Sequence, residues 1–156
     1  MRGSENVIAV LNEGLKAELT AVSQYFLHAE MCGDWGYDRL HDATKKHAID
    51  EMKHAEYLIE RILFLDGSPS MATLNPLKIG ANVKAQLDND LAMELGAVAA
   101  YNAAIKVCAE AGDAASRELF ERLLHDEEGH VDWLEAQIHL ASEIGMERYL
   151  SQQVKA

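Results

Sequence analysis

The chain has 156 residues, 49% of them hydrophobic, and a formal net charge of −12 at pH 7. This length favours one compact domain with a buried core. The negative charge argues against nucleic acid or an anionic membrane as a partner, because both are bound through clustered Lys and Arg, and it suits a protein that attracts cations. We find neither a membrane span of roughly 20 apolar residues nor a secretory signal, so we expect a cytoplasmic protein. Cys32 and Cys108 stand alone, without a Cys-x-x-Cys pair, and are expected to be reduced.

Helix start and stop signals divide the chain into four long helices and a short fifth. Ser4, Asn82 and Asp113 are suitable N-caps, and glycines follow the expected ends of the long helices. We therefore predict a single domain over 1–156 with helices at about 4–32, 38–66, 82–111, 113–144 and 146–152.

The stretch between the second and third helices is the only long irregular segment. It covers residues 67–81 and contains both prolines, Pro69 and Pro76. Its length suits a crossover between parallel helices better than a tight turn. The expected fold is all-α, a four-helix bundle with a long crossover between helices 2 and 3 and a short C-terminal fifth helix.

One motif, Asp-Glu-x-x-His, occurs twice, at residues 50–54 and 126–130, an offset of 76. Each copy follows a lone glutamate, Glu18 or Glu94, with the motif glutamate 33 residues later. Residues at i and i+3 share one face of a helix, so each Glu-x-x-His presents a carboxylate and an imidazole to a single ion. Tyr25 and Tyr101 repeat at the same offset, which indicates a duplicated helix pair.

The apolar stripes show where these groups point. Glu18 lies in a stripe with Leu11, Leu15, Val22 and Tyr25, the pattern of a core-facing helix surface. The other candidates also continue into apolar stripes. Six ionisable groups are thus expected to converge in one core: Glu18, Glu51, His54, Glu94, Glu127 and His130.

Four carboxylates cannot all remain ionised in a dry interior unless cations neutralise them. Two divalent ions would balance their charge, which favours a two-metal site over a structural cluster of glutamates bonded to histidines and tyrosines. Carboxylate and imidazole ligands suit iron or manganese, whereas a closed zinc site would favour cysteine. Of these metals we favour iron.

Longer stretches of the chain resemble the bacterioferritins over nearly its full length. They are Ser-Gln-Tyr-Phe-Leu-His (23–28), Asp-Trp-Gly (34–36), Ile-Asp-Glu-Met-Lys-His-Ala (49–55), 59–65 and 126–135. The resemblance implies a ferritin-like di-iron bundle. It also implies a hollow homo-oligomeric shell of twenty-four subunits, built from dimers, which oxidises Fe(II) with O2 or H2O2 and stores the ferric mineral.

The resemblance further implies a role for each ligand of the two iron ions. Glu51 and Glu127 would bridge them, Glu18 and Glu94 would each bind one terminally, and His54 and His130 would complete the two coordination sets. Tyr25 would hydrogen-bond a ligand glutamate, donate an electron as a radical, or simply pack in the core.

Met52 points about 100° around the helix from Glu51 and therefore away from this core. By resemblance, Met52 from two subunits ligates haem b, one haem per subunit pair, with a ferredoxin-type donor supplying electrons for iron release. The alternative is a methionine packed in a helix–helix dimer interface.

Several positions depart from the family pattern. Lys46 replaces a histidine often found one turn before Asp50, which argues against an iron site on the inner surface. Lys45 and Ser23 also differ from the usual residues, Lys45 beside the expected haem pocket. The remaining histidines, apart from His47 beside Lys46, lack a partner at helical spacing and are expected at surfaces or interfaces: His28, His41, His125 and His139.

Two other functions share parts of this pattern. A rubrerythrin-like di-iron oxidase or peroxidase has the same Glu-x-x-His duplication, but the absence of a Cys-x-x-Cys electron-transfer segment counts against it. A DNA-protecting mini-ferritin is disfavoured because the chain has no basic tail.

Overall fold

The computed structural model describes residues 1–155, and all of its regular secondary structure is helical. The helices are α1 (Glu5–Asp34), α2 (Asp38–Phe64), α3 (Val83–Glu110), α4 (Ala114–Ile144) and α5 (Met146–Ser151). Helix α1 packs mainly against α2 and α3 mainly against α4, while α1 and α3 also touch. The all-α bundle with a long crossover and a short fifth helix is confirmed.

The duplication extends to the turns that end α1 and α3. Helix α1 continues through Gly33 and ends before Gly36, which has a φ of 86°. Gly112 occupies the corresponding place after α3 with a φ of 70°. In both turns the next residue donates its backbone N–H to a cysteine carbonyl 2.9 Å away, at Cys32 or Cys108. Glycine is favoured at these positions because a side chain is strained in the left-handed region.

Two of the three expected N-caps form a capping hydrogen bond. Asn82 accepts the Ala85 N–H at 2.9 Å, and Asp113 accepts the Ser116 N–H at 3.0 Å. Ser4 lies at the start of α1 with an extended backbone, but its hydroxyl makes no cap bond. The first turn of α1 is instead continued by the Ile8 N–H, which donates to the Ser4 carbonyl at 3.0 Å.

The bundle has an apolar core at each end and a polar layer between them. One apolar cluster includes Leu11, Leu58 and Phe120, and the other includes Leu87 and Leu134. Each fully buried side chain of this kind contributes roughly 1.5–3 kcal/mol, so these clusters offset the cost of burying charge in the middle layer. The candidate ligands lie in that layer.

The crossover is fastened to α1 by three side chains spaced four residues apart. These side chains accept hydrogen bonds from backbone N–H groups of residues 75–80, a segment that we call the strap. The Asn75 N–H donates to Thr20 Oγ1 (2.9 Å), the Lys78 N–H to Gln24 Oε1 (3.1 Å) and the Gly80 N–H to His28 Nε2 (3.0 Å). Residues at this spacing form one row along a helix, so a single face of α1 holds the strap in place.

His28 corrects one expectation from the sequence. It was expected at a surface or interface, but its side chain is completely buried. Its Nδ1 lies 2.9 Å from Asp90 Oδ1, and Gln24 donates to the same oxygen at 2.8 Å. Burial raises the pKa of Asp90, and the contact with His28 opposes that shift. His28 therefore joins α1, α3 and the strap, a role that helical spacing alone cannot indicate.

One helix, α3, is apolar and long enough to cross a membrane by length and composition alone. Within the bundle it packs against α4 and α1 and places Glu94 in the polar layer. Only 22% of its most apolar window is buried, because residues such as Leu95 lie on the outer face. Its hydropathy arises from small and aliphatic residues around an inward polar stripe.

Candidate metal centre

The six candidate ligands meet in the middle of the bundle, all of them buried. They form two overlapping sets in which the ligand atoms lie within 4.8 Å of one another. One set is Glu18, Glu51, His54 and Glu127, and the other is Glu51, Glu94, Glu127 and His130. Glu51 and Glu127 belong to both sets and therefore lie where two adjacent ions could share them.

The two sets have similar internal geometry. His54 Nδ1 lies 2.9 Å from Glu127 Oε1 and 3.4 Å from Glu18 Oε1. His130 Nδ1 lies 3.1 Å from Glu51 Oε1 and 3.4 Å from Glu94 Oε1. Each histidine thus approaches the motif glutamate of the other repeat more closely than its own, since the His54–Glu51 and His130–Glu127 separations are 3.6 and 3.9 Å.

The aspartate of each motif pairs with the histidine of the other. His54 Nε2 lies 3.0 Å from Asp126 Oδ2, and His130 Nε2 lies 3.2 Å from Asp50 Oδ2. A carboxylate accepts a hydrogen bond from the N–H that it faces, so each Nδ1 is the nitrogen available to an ion. Asp50 and Asp126 are therefore further candidate residues of the centre, to which the sequence analysis assigned no such part. Their repetition at the offset of 76 was the available signal.

Each of the two tyrosines also contacts a residue of the other repeat. Tyr25 donates to Glu94 Oε1 at 2.6 Å, and Tyr101 donates to Glu18 Oε1. Burial is the main reason that the pKa of each phenol lies well above its usual range, and the neighbouring carboxylates add to it. Both phenols stay protonated and hold the lone glutamates in place. Tyr25 contacts the site as the sequence suggested, and Tyr101 has the same arrangement on the other side.

Four of the six candidate ligands have raised pKa values in the absence of metal. Burial and the other carboxylates raise the pKa of Glu94 to about 8 and that of Glu51 well above its usual range. Burial opposes charging of the imidazoles, but contacts with Glu127 and Glu18 raise the pKa of His54 to about 11. Contacts with Glu94 similarly raise that of His130 to about 9. Like charges in low dielectric are avoided in this way until a cation binds.

Several ligand atoms are buried without a hydrogen-bond partner. They include Glu94 Oε2, both Glu127 oxygens and the Nδ1 atoms of His54 and His130. His54 Nδ1 is close to Glu127 but lacks the alignment of a hydrogen bond, so distance alone overstates that contact. Unpartnered buried polar atoms are costly, and binding of divalent ions would give these atoms partners. The donor set therefore fits a pair of divalent metal ions.

His47 and Lys46 lie beside the ligand set that contains His130. The His47 ring centroid is 4.4 Å from that of His130 and 4.8 Å from that of Trp133, and burial with the neighbouring His130 lowers its pKa to about 4. Lys46 Nζ lies 3.3 Å from Asp50 Oδ2. Burial alone would raise the pKa of Asp50, but the bonds from His130 and Lys46 lower it.

Met52 lies apart from this centre on the outer surface of α2. Its side chain is 47% exposed, and Ile49, one turn earlier, is also exposed. Lys45 is exposed on the same helix, and the Ser23 hydroxyl donates to the Leu19 carbonyl at 3.0 Å. An exposed thioether beside an aliphatic side chain could serve either of the two expected roles. It would bind a haem iron together with a second subunit, or it would pack in an apolar interface with that subunit. His125 and His139 are exposed, and His41 pairs with Asp42 at 3.0 Å.

Comparison with known proteins agrees with this geometry. The model of the ferritin-like domain family matches residues 8–144. A bacterioferritin of Brucella melitensis is 48% identical over 149 residues, which cover 96% of this chain and 92% of the relative. Bacterioferritins of Rhodobacter capsulatus and Mycolicibacterium paratuberculosis are 46% and 42% identical, over 93% and 97% of this chain and 90% and 96% of their own lengths. Fold, buried ligand set and full-length similarity therefore agree, and the chain belongs to the ferritin-like family and, within it, to the bacterioferritins.

Proposed function

We propose that this protein stores iron and is a ferroxidase that converts Fe(II) to Fe(III) at the buried centre. The observation that carries the proposal is the pair of overlapping ligand sets, which share Glu51 and Glu127 and contain buried atoms without a hydrogen-bond partner. Two ions held side by side can transfer two electrons to one oxidant molecule, which a single site cannot do.

Each residue has a distinct part in binding the substrate ions. Glu51 and Glu127 would be shared by the two Fe(II) ions, an assignment supported by their membership of both sets. Glu18 with His54 completes one position, and Glu94 with His130 completes the other. Asp126 and Asp50 orient the two imidazoles from behind, and such outer contacts typically change metal affinity by about 10–100-fold.

The reaction balances with either oxidant. Two Fe(II) ions give up two electrons, and O2 accepts them together with two protons to form H2O2. With H2O2 as the oxidant, the same electrons and two protons cleave the O–O bond and form water. The protein contributes the positioning of the ions, the exclusion of bulk water by the two apolar clusters, and the removal of protons from its own ligands.

Those protons come from groups whose pKa is raised in the metal-free protein. Glu94, with a pKa of about 8, and Glu51 must lose any proton they carry before they bind an ion, and so must the imidazolium forms of His54 and His130. Metal loading therefore releases protons from the centre. Tyr25 and Tyr101 keep theirs and hold the terminal glutamates throughout.

We further propose that haem b binds at the exposed face of α2 as a second group. Met52 and the Met52 of a second copy would hold its iron, one haem for each subunit pair. When bound, haem supplies one-electron transfer for reduction of stored iron. The exposed sulfur and the neighbouring Ile49 support this assignment.

The remaining parts of the proposal follow from family membership. The protein assembles as a homo-oligomer of twenty-four subunits around a ferric mineral, acts in the cytoplasm, and receives electrons for iron release from a ferredoxin-type donor. The net charge of −12 agrees with an inorganic cation as the cargo and with no nucleic-acid or membrane partner.

Anaerobic Fe(II) titration of the metal-free protein, followed by exposure to air, tests the centre. We expect two Fe(II) per chain and oxidation on exposure, with both lost in Glu127→Gln and retained in Glu128→Gln, whose side chain is exposed. Failure of the unmodified protein to bind Fe(II) would refute the proposal. A rubrerythrin-like oxidase would oxidise iron as a dimer without retaining mineral, so a solution mass measurement separates that alternative.

A further inference from the structure

We propose that Lys46 makes the two metal positions of the centre unequal, because it competes with His130 for Asp50 and so weakens metal binding at the position that contains His130. We name the two positions after their histidines, the His54 position and the His130 position. The inference rests on the proposed function and deepens it, because it concerns how the same centre takes up its two ions. Lys46 belongs to neither ligand set and acts through Asp50, as a positioning residue.

The residues that would hold the two ions repeat closely between the halves of the chain. Each set combines one lone glutamate and one histidine with the shared Glu51 and Glu127. The two histidine Nδ1 atoms lie 2.9 and 3.1 Å from the nearer shared glutamate, and both lie 3.4 Å from a lone glutamate. These ligands alone would therefore give the two positions similar affinities.

The aspartates behind the two histidines have different surroundings. One oxygen of Asp50, Oδ2, faces two nitrogens, His130 Nε2 at 3.2 Å and Lys46 Nζ at 3.3 Å. Among the residues that the structure describes, Asp126 Oδ2 faces only His54 Nε2, at 3.0 Å. The Asp50 side chain is 26% exposed and that of Asp126 is 59% exposed, so water screens the contacts of Asp50 less.

The counterpart of Lys46 in the second repeat makes a different contact. It is Arg122, 76 positions later, which stands four residues before Asp126 as Lys46 stands four before Asp50. The Arg122 guanidinium carbon lies over the Tyr57 ring, 5.6 Å from its centroid, and within residues 1–155 Arg122 forms no ion pair with Asp126. Both repeats therefore have a basic residue at this place, and they use it differently.

The shared oxygen of Asp50 affects an ion at the His130 position in two ways. A carboxylate that accepts the outer N–H of a ligand imidazole makes that imidazole a stronger metal ligand. An ammonium group on the same oxygen offsets part of the negative charge, so the Nδ1 of His130 becomes the weaker ligand atom. Lys46 also adds a positive charge beside this position, and like charges repel. Both effects lower the affinity of the His130 position.

Unequal affinities give the centre a fixed order of filling. The His54 position takes the first Fe(II), and the His130 position takes the second at a higher Fe(II) concentration. Two-electron transfer to one oxidant molecule needs both ions. Lys46 therefore raises the Fe(II) concentration at which the centre becomes fully loaded and able to react.

Anomalous diffraction at the cobalt edge tests the inference, because it reports the occupancy of each position separately. Crystals of the metal-free protein are equilibrated with substoichiometric Co²⁺, where the occupancy ratio approaches the ratio of the two affinities. Complete loss of an outer contact typically changes metal affinity by about 10–100-fold, and here the contact is weakened but kept. We therefore expect the His54 position to be occupied about threefold to tenfold more than the His130 position.

Three lysine variants provide the matched comparison. Lys46→Met removes the ammonium group and should make the two occupancies nearly equal. Lys53→Met removes the same charge from another exposed lysine of the same surface pocket, one that pairs with neither aspartate in the described part of the chain, and should keep the inequality. Lys46→Arg retains a charged donor and should also keep it. In solution, Co²⁺ titration followed by visible absorption should show the second of two steps moving to lower concentration in Lys46→Met, with the first step unchanged.

The outcomes separate this inference from the function on which it rests. Equal occupancies in the unmodified protein, or a preference for the His130 position, would overturn the inference and leave the two-metal centre intact. An unchanged inequality in Lys46→Met, or its loss in Lys53→Met as well, would also overturn it, because the cause would then lie outside the contact with Asp50. Absence of Co²⁺ from both positions of the unmodified protein at saturating Co²⁺ would instead count against the centre itself.

Discussion

The Tyr25 hydroxyl lies 2.6 Å from Oε1 of Glu94, a residue of the other repeat, and Tyr101 reaches back to Glu18 in the same way. Each helix pair therefore fixes the lone glutamate of its counterpart. A buried carboxylate that loses its donor is left with an uncompensated polar atom, so these two bonds should affect stability as well as metal binding.

We expect Tyr25→Phe and Tyr101→Phe each to lower the free energy of unfolding of the metal-free protein by about 1–3 kcal/mol. Each should also weaken Co²⁺ binding by about 10–100-fold at one of the two positions. Chemical denaturation and Co²⁺ titration measure the two effects. Tyr57→Phe is the control, because that side chain is exposed and belongs to neither ligand set. Unchanged affinity in both core variants would mean that the phenols only fill space.

Metal binding should stabilise the folded chain strongly. The unpartnered ligand atoms gain partners only when ions are present. For each site, ligand at about 100 times its Kd adds about 2.7 kcal/mol to the free energy of unfolding. Thermal melts of chelator-treated and Co²⁺-loaded protein check this prediction, with Glu127→Gln as the variant that should not respond. Equal melting temperatures for the two unmodified samples would contradict a charge-neutralising role for the metal.

The stability of the metal-free protein should fall as pH rises. Folding raises the pKa of Glu94 from 4.5 to about 8 and that of His130 from 6.5 to about 9. Within each of these two pH ranges, the residue concerned binds more protons in the folded state than in the unfolded state. Their stabilisation is complete below the unfolded pKa and is lost as pH rises through the folded pKa. Denaturation between pH 5 and 9, at about one-unit steps, should show a decreasing free energy of unfolding.

Metal should reverse this trend, because the cations replace the protons that are lost. The difference in melting temperature between loaded and metal-free protein should therefore widen with pH over the same range. A metal-free protein whose stability rises from pH 5 to pH 9 would show that the carboxylates are ionised without help from protons or cations.

Replacing Met52 by Leu should abolish haem binding and leave Fe(II) oxidation within about twofold, because this side chain lies on the outer face of α2, away from the ligands. Haem content is read from the Soret band after reconstitution with haem b. Met71→Leu is the matched control, since Met71 is also exposed but belongs to the crossover. Haem retention in Met52→Leu would reassign the haem to another surface, and loss of oxidation would mean that the two sites are coupled.

The buried contact between His28 and Asp90 should be important for stability. Asp90→Ala removes the acceptor shared by His28 and Gln24, and each stranded polar group costs about 1–3 kcal/mol. Asp88→Ala breaks only an exposed pair with Lys84 and should change the free energy of unfolding by less than about 1 kcal/mol. Urea denaturation of the two variants measures both values. Similar losses in the two would show that the strap is held by other contacts.

The sequence predicted the fold class and the inward faces of the ligand residues because both depend on helical periodicity. Glu18 and Glu51 were placed by their positions within apolar stripes. The partners across the bundle were harder to predict, because spacing along one helix does not say which residue of another helix lies opposite. The pairing of His54 with Asp126 and the burial of His28 beside Asp90 are both of this kind. The position of the strap was also not predictable, because it is bonded through backbone N–H groups, which every residue except proline has.

The exchange of partners between repeats makes the two helix pairs depend on each other. A single helix pair contains one lone glutamate, one Asp-Glu-x-x-His motif and one tyrosine that bonds to a lone glutamate. The tyrosine and aspartate contacts of its glutamate and histidine all come from the other pair. One hairpin alone would thus hold an unfinished half-site. Two identical hairpins related by a two-fold axis would complete the same set of contacts with no new residues. The crossover joins the two hairpins covalently, so one chain holds the whole set of contacts at any protein concentration.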